Sequence, residues 1–89
     1  MTVVDLDARV RGHMGAFLRE NFLYLQPDLE LRDDDDLLAL GVMDSMGFVE
    51  LVEEVQQHYG LDVDVLEITE DNFGSVDAIV AFVERKLAR

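Results

Sequence analysis

Apolar residues recur at helical spacing in three stretches of this chain. In the first stretch they return every three or four residues from Val3 onward, and the pattern stops near Pro27, a residue that disfavours helix before it. We therefore predict a first helix from Val3 to Tyr24, ended by the pair Gln26-Pro27. Two glycines in its middle weaken it by about 1 kcal/mol each relative to alanine. Its apolar stripe consists of Leu6, Val10, Met14, Phe17 and Leu18.

The second stretch predicts a helix from Ser45 to Tyr59. Asp44 is placed to act as its N-cap and Gly60 as its C-cap. At about 100° per residue the apolar residues gather on one side and the charged ones on the other. The apolar side holds Phe48, Leu51, Val52, Val55 and Tyr59; the outer side holds Met46, Glu50, Glu53, Glu54 and Gln57, with Val49 at the boundary.

The third stretch predicts a last helix that Ser75 caps. Before it, residues 61–65 alternate like a strand but stand alone, so we expect an extended loop there, followed by a short helical turn from Thr69 to Asn72. The fold class is all-α: one domain over residues 1–89, a small bundle of three main helices plus one short helix, with a long first loop. The stripe of the last helix consists of Val76, Ile79, Val80, Val83 and Leu87.

The long first loop runs from Pro27 to Gly41 and contains the run Asp33–Asp36. Calcium loops of the EF-hand type alternate their ligands, turn at a glycine and end in a glutamate, which four adjacent aspartates do not do. We expect a solvated acidic loop without a metal site. Five leucines should pin the loop onto the helices: Leu29, Leu31, Leu37, Leu38 and Leu40.

The composition narrows the possible partners. Twenty acidic residues against seven basic ones give a net charge of −13, so nucleic acid and anionic membrane surfaces are excluded as partners. The charge either steers a partner with a basic patch or only maintains solubility. The chain contains no cysteine, no signal peptide and no apolar run that could cross a bilayer. We expect a soluble, cytoplasmic monomer.

The candidate chemistry centres on Ser45, which should lie exposed at a helix start, where free amide groups and the helix dipole suit an anion. No neighbouring side chain could activate its hydroxyl. A hydrolase triad with His58 and Asp44 fails, because His58 lies near the far end of the same helix and no nucleophile elbow is present. His13 and His58 lack metal-ligand spacing and are expected at the surface or its boundary. The pattern indicates a serine that is modified rather than one that attacks.

These residues also resemble a known family. The tripeptide Asp44-Ser45-Met46 resembles the Asp-Ser-Leu signature of acyl carrier proteins, with methionine in place of leucine. Gly41-Val42-Met43 looks like the approach to that signature, and the following helix continues as the family's second helix does. Asn72-Phe73-Gly74-Ser75-Val76 resembles the entry into the family's last helix. The resemblance covers nearly the whole chain.

The resemblance implies a carrier and not an enzyme. Ser45 would receive phosphopantetheine from coenzyme A through a separate phosphopantetheinyl transferase, and the thiol of that arm would hold acyl or aminoacyl groups as thioesters. Gly47 stands where many fatty-acid carriers have an acidic residue. The sequence Met43-Asp44-Ser45-Met46 looks closer to D-alanyl carriers and to discrete carriers of specialised pathways. Loading and downstream enzymes with basic patches would recognise Asp44, Met46, Val49, Glu50, Glu53 and Glu54. The alternative is an unmodified acidic helical adaptor that binds a basic protein.

Overall fold

The computed structural model describes residues 3–23, 28–41 and 44–88. Its elements confirm the predicted all-α bundle of three main helices and one short one. The predicted positions Tyr24, Gln26-Pro27 and Val42-Met43 lie outside the described residues. The helices are α1 (Val3–Asn21), α2 (Ser45–Tyr59), α3 (Glu70–Phe73) and α4 (Val76–Leu87), with a 3₁₀ turn over Val65–Glu67 between α2 and α3.

Helix α1 continues unbroken through both of its glycines and ends at Asn21, earlier than the apolar pattern predicts. The amides of Phe22 and Leu23 both donate to the carbonyl of Leu18, at 2.8 and 3.0 Å. Because both amides share one carbonyl, the chain leaves the helix at this point and turns back. The Leu23 side chain is then buried in the core. The end of α1 is therefore set by burial of Leu23.

Helix α4 is the centre of the bundle, because it packs against both α1 and α3. Two neighbours require a wider apolar face than the predicted stripe, and Phe82 is accordingly buried together with four of the five stripe residues. The fifth, Leu87, is exposed, so its predicted place in the core is wrong. Phe73 of α3 lies between Phe82 of α4 and Phe48 of α2, with ring centroids 5.0 and 6.0 Å away. The aromatic residues thus join three helices around one core.

The long loop is held against the bundle as predicted, but by four leucines and not five. Leu37 is fully buried, whereas Leu40 is exposed and does not pin the loop. Two backbone hydrogen bonds add to this attachment: the Leu37 amide donates to the Gly74 carbonyl at 2.8 Å, and the Asp77 amide donates to the Asp33 carbonyl at 2.9 Å. The partly buried contacts come from Leu29, Leu31 and Leu38.

A single arginine side chain links the loop to two helices. Arg11 of α1 binds Asp7 one turn earlier at 2.6 Å, Asp33 of the loop at 3.0 Å, and Asp77 in the first turn of α4. The hydrogen bonds that Arg11 donates to Asp7 and then to Asp77 raise the pKa of the guanidinium. This arginine therefore neutralises part of the negative charge where three elements meet.

The link between α2 and α3 begins at Gly60, whose φ of 65° is the left-handed conformation that glycine adopts most readily. Residues 61–64 form a loop without helix or strand, as predicted, and Asp64 is extended, whereas Val65, the last residue of the predicted extended loop, belongs to the 3₁₀ turn. The 3₁₀ turn that follows is closed by a capping box. The Asp64 carboxylate accepts from the Leu66 amide, and the Glu67 carboxylate accepts from the Asp64 amide. No helix in the described ranges is both long and apolar enough to span a membrane.

Candidate functional site

The start of α2 is organised by Asp44. Its backbone is extended, with φ −105° and ψ −171°, and its Oδ1 accepts from the Gly47 amide at 2.9 Å. Its carbonyl accepts the first helical bond from Phe48 at 2.9 Å. Asp44 is thus the predicted N-cap, and Ser45 is the first residue of the helix. Since the aspartate makes the capping bond, the serine is not needed as a cap.

The backbone around Ser45 suits an anionic group. The first turn of α2 contains no acidic residue, and the nearest carboxylate is that of the N-cap Asp44, which is held by the Gly47 amide. Amide groups at the beginning of a helix lack intrahelical partners and lie at the positive end of the dipole. The side chain of Ser45 lies outside the described part of the structure, so the predicted exposure of its hydroxyl stays a prediction.

The outer face of α2 presents apolar and acidic side chains close to Ser45. Met46 is 76% exposed and Val49 54% exposed, values that leave both free to contact another protein. Glu50 and Glu53 are exposed on the same helix. Glu54 does not belong to this outward-facing group: it is half-buried and binds His13 of α1 at 2.7 Å.

A cleft of about 230 Å³ lies beside the start of α2. Phe48, three residues after Ser45 and therefore its neighbour along the helix surface, forms one wall. The opposite side comes from the loop and the segment before α3. The lining residues are Leu38, Phe48, Ile68, Thr69 and Glu70.

The acidic loop, Asp33–Asp36, is more ordered than a solvated charge run. Asp33 pairs with Arg11. Asp35 accepts from the Arg32 amide at 2.8 Å, and Asp36 accepts from the amides of Leu38 and Ala39 at 3.1 and 3.0 Å. Three of the four aspartates therefore shape the loop.

The two histidines lie at the boundary and the surface, as predicted, but the fold brings them together although they are far apart in the sequence. His13 of α1 and His58 of α2 stack, with ring centroids 3.7 Å apart. The His13 ring also binds Glu54 through Nε2 and the Tyr59 hydroxyl through Nδ1, each at 2.7 Å. We call His13, Glu54, His58 and Tyr59 the histidine cluster. The sequence gives Glu54 and His58 a shared helix face, but only the packing of α1 adds His13.

Tyr59 gives the histidine cluster a measurable pH dependence. Burial, and then the nearby Glu54 carboxylate, raise the pKa of Tyr59 from 10.0 to about 12. Because the folded pKa is above the unfolded one, this contribution to stability is fully present below about pH 10 and is lost as pH rises towards 12. Tyr59→Phe should flatten the fall in unfolding free energy over that range.

The control is Tyr24→Phe, which removes the only other tyrosine of the sequence. Denaturant unfolding at a series of alkaline pH values, in EDTA-containing buffer, measures the difference. A steep fall that persists in Tyr59→Phe and disappears in Tyr24→Phe would contradict the assignment.

The site contains no catalytic arrangement among the described residues. His58 lies 13 positions beyond Ser45 on α2, about 20 Å along the helix axis, and its ring is stacked on His13. A base at that distance cannot accept a proton from the serine. Among the described residues the start of α2 combines a serine without a base and exposed acidic and apolar side chains, an arrangement that favours a carrier, which other enzymes modify and recognise, over a hydrolase.

Comparison with known proteins agrees with this class. Residues 20–83 match the family model described as "Phosphopantetheine attachment site". The D-alanyl carrier protein of Streptococcus mutans serotype c is 40% identical over 47 residues, 53% of this chain and 60% of that protein's length. The D-alanyl carrier protein of Streptococcus suis is 32% identical over 71 residues. The match covers 74% of this chain and 90% of the length of the Streptococcus suis protein. No solved structure matches significantly.

The chain belongs to the phosphopantetheine-attachment family of carrier proteins. It is a carrier that bears covalently attached phosphopantetheine, it is not an enzyme, and it works with a phosphopantetheinyl transferase and with loading enzymes. The predicted carrier function is confirmed in preference to the unmodified adaptor.

Proposed function

We propose that residues 1–89 act as one carrier domain and that Ser45 is the residue that takes the phosphopantetheine arm. The observation that supports this most directly is the division of roles at the start of α2, where Asp44 caps the helix and leaves the next residue free for modification. The described part of the chain offers no partner to the second carboxylate oxygen of Asp44. That oxygen is available to the transferase and its metal ion.

The residues around Ser45 fit the group. The arm is joined through a phosphodiester, and the helix start supplies the positive end of the dipole and amide donors, one of which, from Gly47, is already taken by Asp44. When bound, phosphopantetheine supplies the thiol that forms a thioester with the cargo. The chain itself has no cysteine, so all thiol chemistry comes from the arm.

We assign the cleft beside Phe48 to the cargo and the end of the arm. Its walls mix apolar side chains with Thr69 and Glu70, which suits a short acyl or aminoacyl group. Similarity to two D-alanyl carrier proteins supports an aminoacyl cargo as one candidate. The proposed role is that of a discrete cytoplasmic carrier in a specialised biosynthetic pathway.

The direct test is loading with coenzyme A and a broad-specificity phosphopantetheinyl transferase. Intact-mass measurement should show one phosphopantetheine per chain, and fragmentation should place it on the peptide that contains Ser45. An unmodified chain, or an arm located on another peptide, would refute the assignment of Ser45.

Recognition is proposed to use the outer face of α2, formed by Met46, Val49, Glu50 and Glu53. The two apolar residues give contact area, and methionine adapts to surfaces of different shape. The two carboxylates attract basic patches on partner enzymes, and the monomer presents this face freely. We leave Glu54 out of the surface because His13 binds its carboxylate.

Reversing both charges tests this surface. Glu50→Lys with Glu53→Lys should slow loading on the order of tenfold at low salt, chiefly through the association rate. The effect should shrink at physiological ionic strength, where the Debye length is about 8 Å. The matched control, Glu20→Lys with Glu30→Lys, changes the net charge equally at exposed positions outside α2.

Stopped-flow or time-resolved mass measurement gives the rates. Equal slowing in both double variants would assign the effect to net charge. Unchanged loading in the α2 variant at low salt would place recognition elsewhere, for example on the acidic loop.

A further inference from the structure

The histidine cluster brings together a set of metal ligands that the carrier function does not use. One ligand atom from each of His13, Glu54 and His58 lies within 4.8 Å of the other two. Two imidazoles and one carboxylate form a ligand set that zinc takes with a fourth position left to water. We propose that His13, Glu54 and His58 form a Zn²⁺ site that joins α1 to the C-terminal half of α2.

The spacing of the ligands is close to what zinc requires. Zinc–ligand distances of about 2.0–2.2 Å place tetrahedral ligand atoms about 3.3 Å from one another. His13 Nε2 and Glu54 Oε2 are 2.7 Å apart, so the ion enters between them with a small widening of that gap. Glu54 and His58 are four residues apart on α2 and share one face of the helix.

Tyr59 supplies the support that a ligating histidine needs. With Nε2 on the metal, the Nδ1–H of His13 donates to the Tyr59 hydroxyl, which already lies 2.7 Å away. A hydrogen bond at the second ring nitrogen fixes the tautomer and the orientation of the ring. A tyrosine hydroxyl is neutral at pH 7, so its oxygen accepts this hydrogen bond without adding charge to the site.

His58 has to turn for the site to close. Its ring now stacks on His13, and ring lone pairs lie in the ring plane, so the two rings cannot both face one ion in the stacked arrangement. His58 is exposed, so its side chain turns without disturbing the core. Zinc binding should therefore replace the stack with two rings that converge on the ion.

The site is distinct from the one that carries phosphopantetheine. The 13 residue steps from Ser45 to His58 correspond to about 20 Å along α2. The thiol of the arm is itself a zinc ligand, so zinc binding has to be measured without it. A tag-free Ser45→Ala chain meets that condition, and its result does not depend on whether Ser45 carries the arm.

Calorimetric titration of that chain with Zn²⁺ should give one ion per molecule, and Mg²⁺ at the same concentration should not compete. His58→Gln and Glu54→Gln should each weaken zinc binding at least about tenfold. Glu53→Gln is the matched control, because it removes the same charge from the neighbouring position and should leave the affinity unchanged. Both histidine ring signals in NMR should shift on zinc addition.

Several outcomes would overturn the proposal. Equal loss of affinity in Glu53→Gln and Glu54→Gln would show attraction to the overall negative charge. The proposal would also be refuted if His58→Gln kept full zinc affinity, if Mg²⁺ competed effectively, or if zinc binding did not saturate. His13→Gln is less decisive because His13 also links two helices, whereas the exposed His58 can be replaced without that cost.

Discussion

Ser45→Ala is expected to abolish the uptake of phosphopantetheine and to leave the fold intact. The substitution removes the hydroxyl that the transferase modifies, while Asp44 continues to cap α2. Because Asp44 makes the capping hydrogen bond, the unfolding free energy should change by about 0.5 kcal/mol or less. Intact-mass measurement and thermal unfolding report the two effects separately.

The chain offers a matched control in Ser75, the only other serine of the sequence. Its hydroxyl accepts from the Ala78 amide at 3.1 Å and caps α4. Ser75→Ala should therefore lower stability by about 0.5–2 kcal/mol and keep the full uptake of phosphopantetheine. Loss of uptake in Ser75→Ala, or modification that persists in Ser45→Ala, would place the arm on a different residue.

Arg11→Met should lower the stability of the fold through the loss of three ion pairs. The methionine keeps most of the apolar stem but leaves Asp7, Asp33 and Asp77 close together without their cation. Partly exposed ion pairs contribute about 0.2–1 kcal/mol each, so the loss should be roughly 1–2 kcal/mol. For a chain of this size, that lowers Tm by roughly 5–15 °C.

Arg9→Met is the control for net charge, because Arg9 is exposed on the same helix and makes no ion pair with any described residue. Thermal unfolding at low and high salt should show a large destabilisation for Arg11→Met that shrinks as salt screens the three carboxylates. Equal melting temperatures for the two variants would mean that the ion pairs contribute nothing beyond charge.

Helix α2 was predictable to the residue because its limits are local. The Asp44 cap and the left-handed Gly60 act within a few residues of the helix ends, and the sequence shows both. The end of α1 depends instead on Leu23 finding the core, which is a tertiary event. The local sequence pattern contains no information on that contact, so the predicted helix extended too far.

The burial pattern of α4 shows the same limit. Its predicted stripe differs from the face that α4 buries: Phe82, which is not on the stripe, is buried, and Leu87 at the helix end is exposed. The 3₁₀ turn was missed although its signal is present, since Asp64 and Glu67 have capping-box spacing.

The serine site can be predicted from the sequence, whereas the histidine cluster cannot. Asp44, Ser45 and Met46 are consecutive, so their arrangement follows from a single helix start. His13 and His58 are 45 residues apart in the sequence, and their rings stack only because α1 packs on α2. Contacts between elements are the part of this molecule that local pattern does not encode.

The attachment of the long loop has a consequence for chain length. Backbone hydrogen bonds join Asp33 to Asp77 in the first turn of α4 and Leu37 to Gly74 just before that helix. The loop therefore has to cover the distance between these two anchors with the four residue steps from Asp33 to Leu37. An insertion or deletion between Asp33 and Leu37 would break one of the two bonds or withdraw Leu37 from the core. Natural variation in the length of this loop should therefore fall before Asp33, where neither anchor is disturbed.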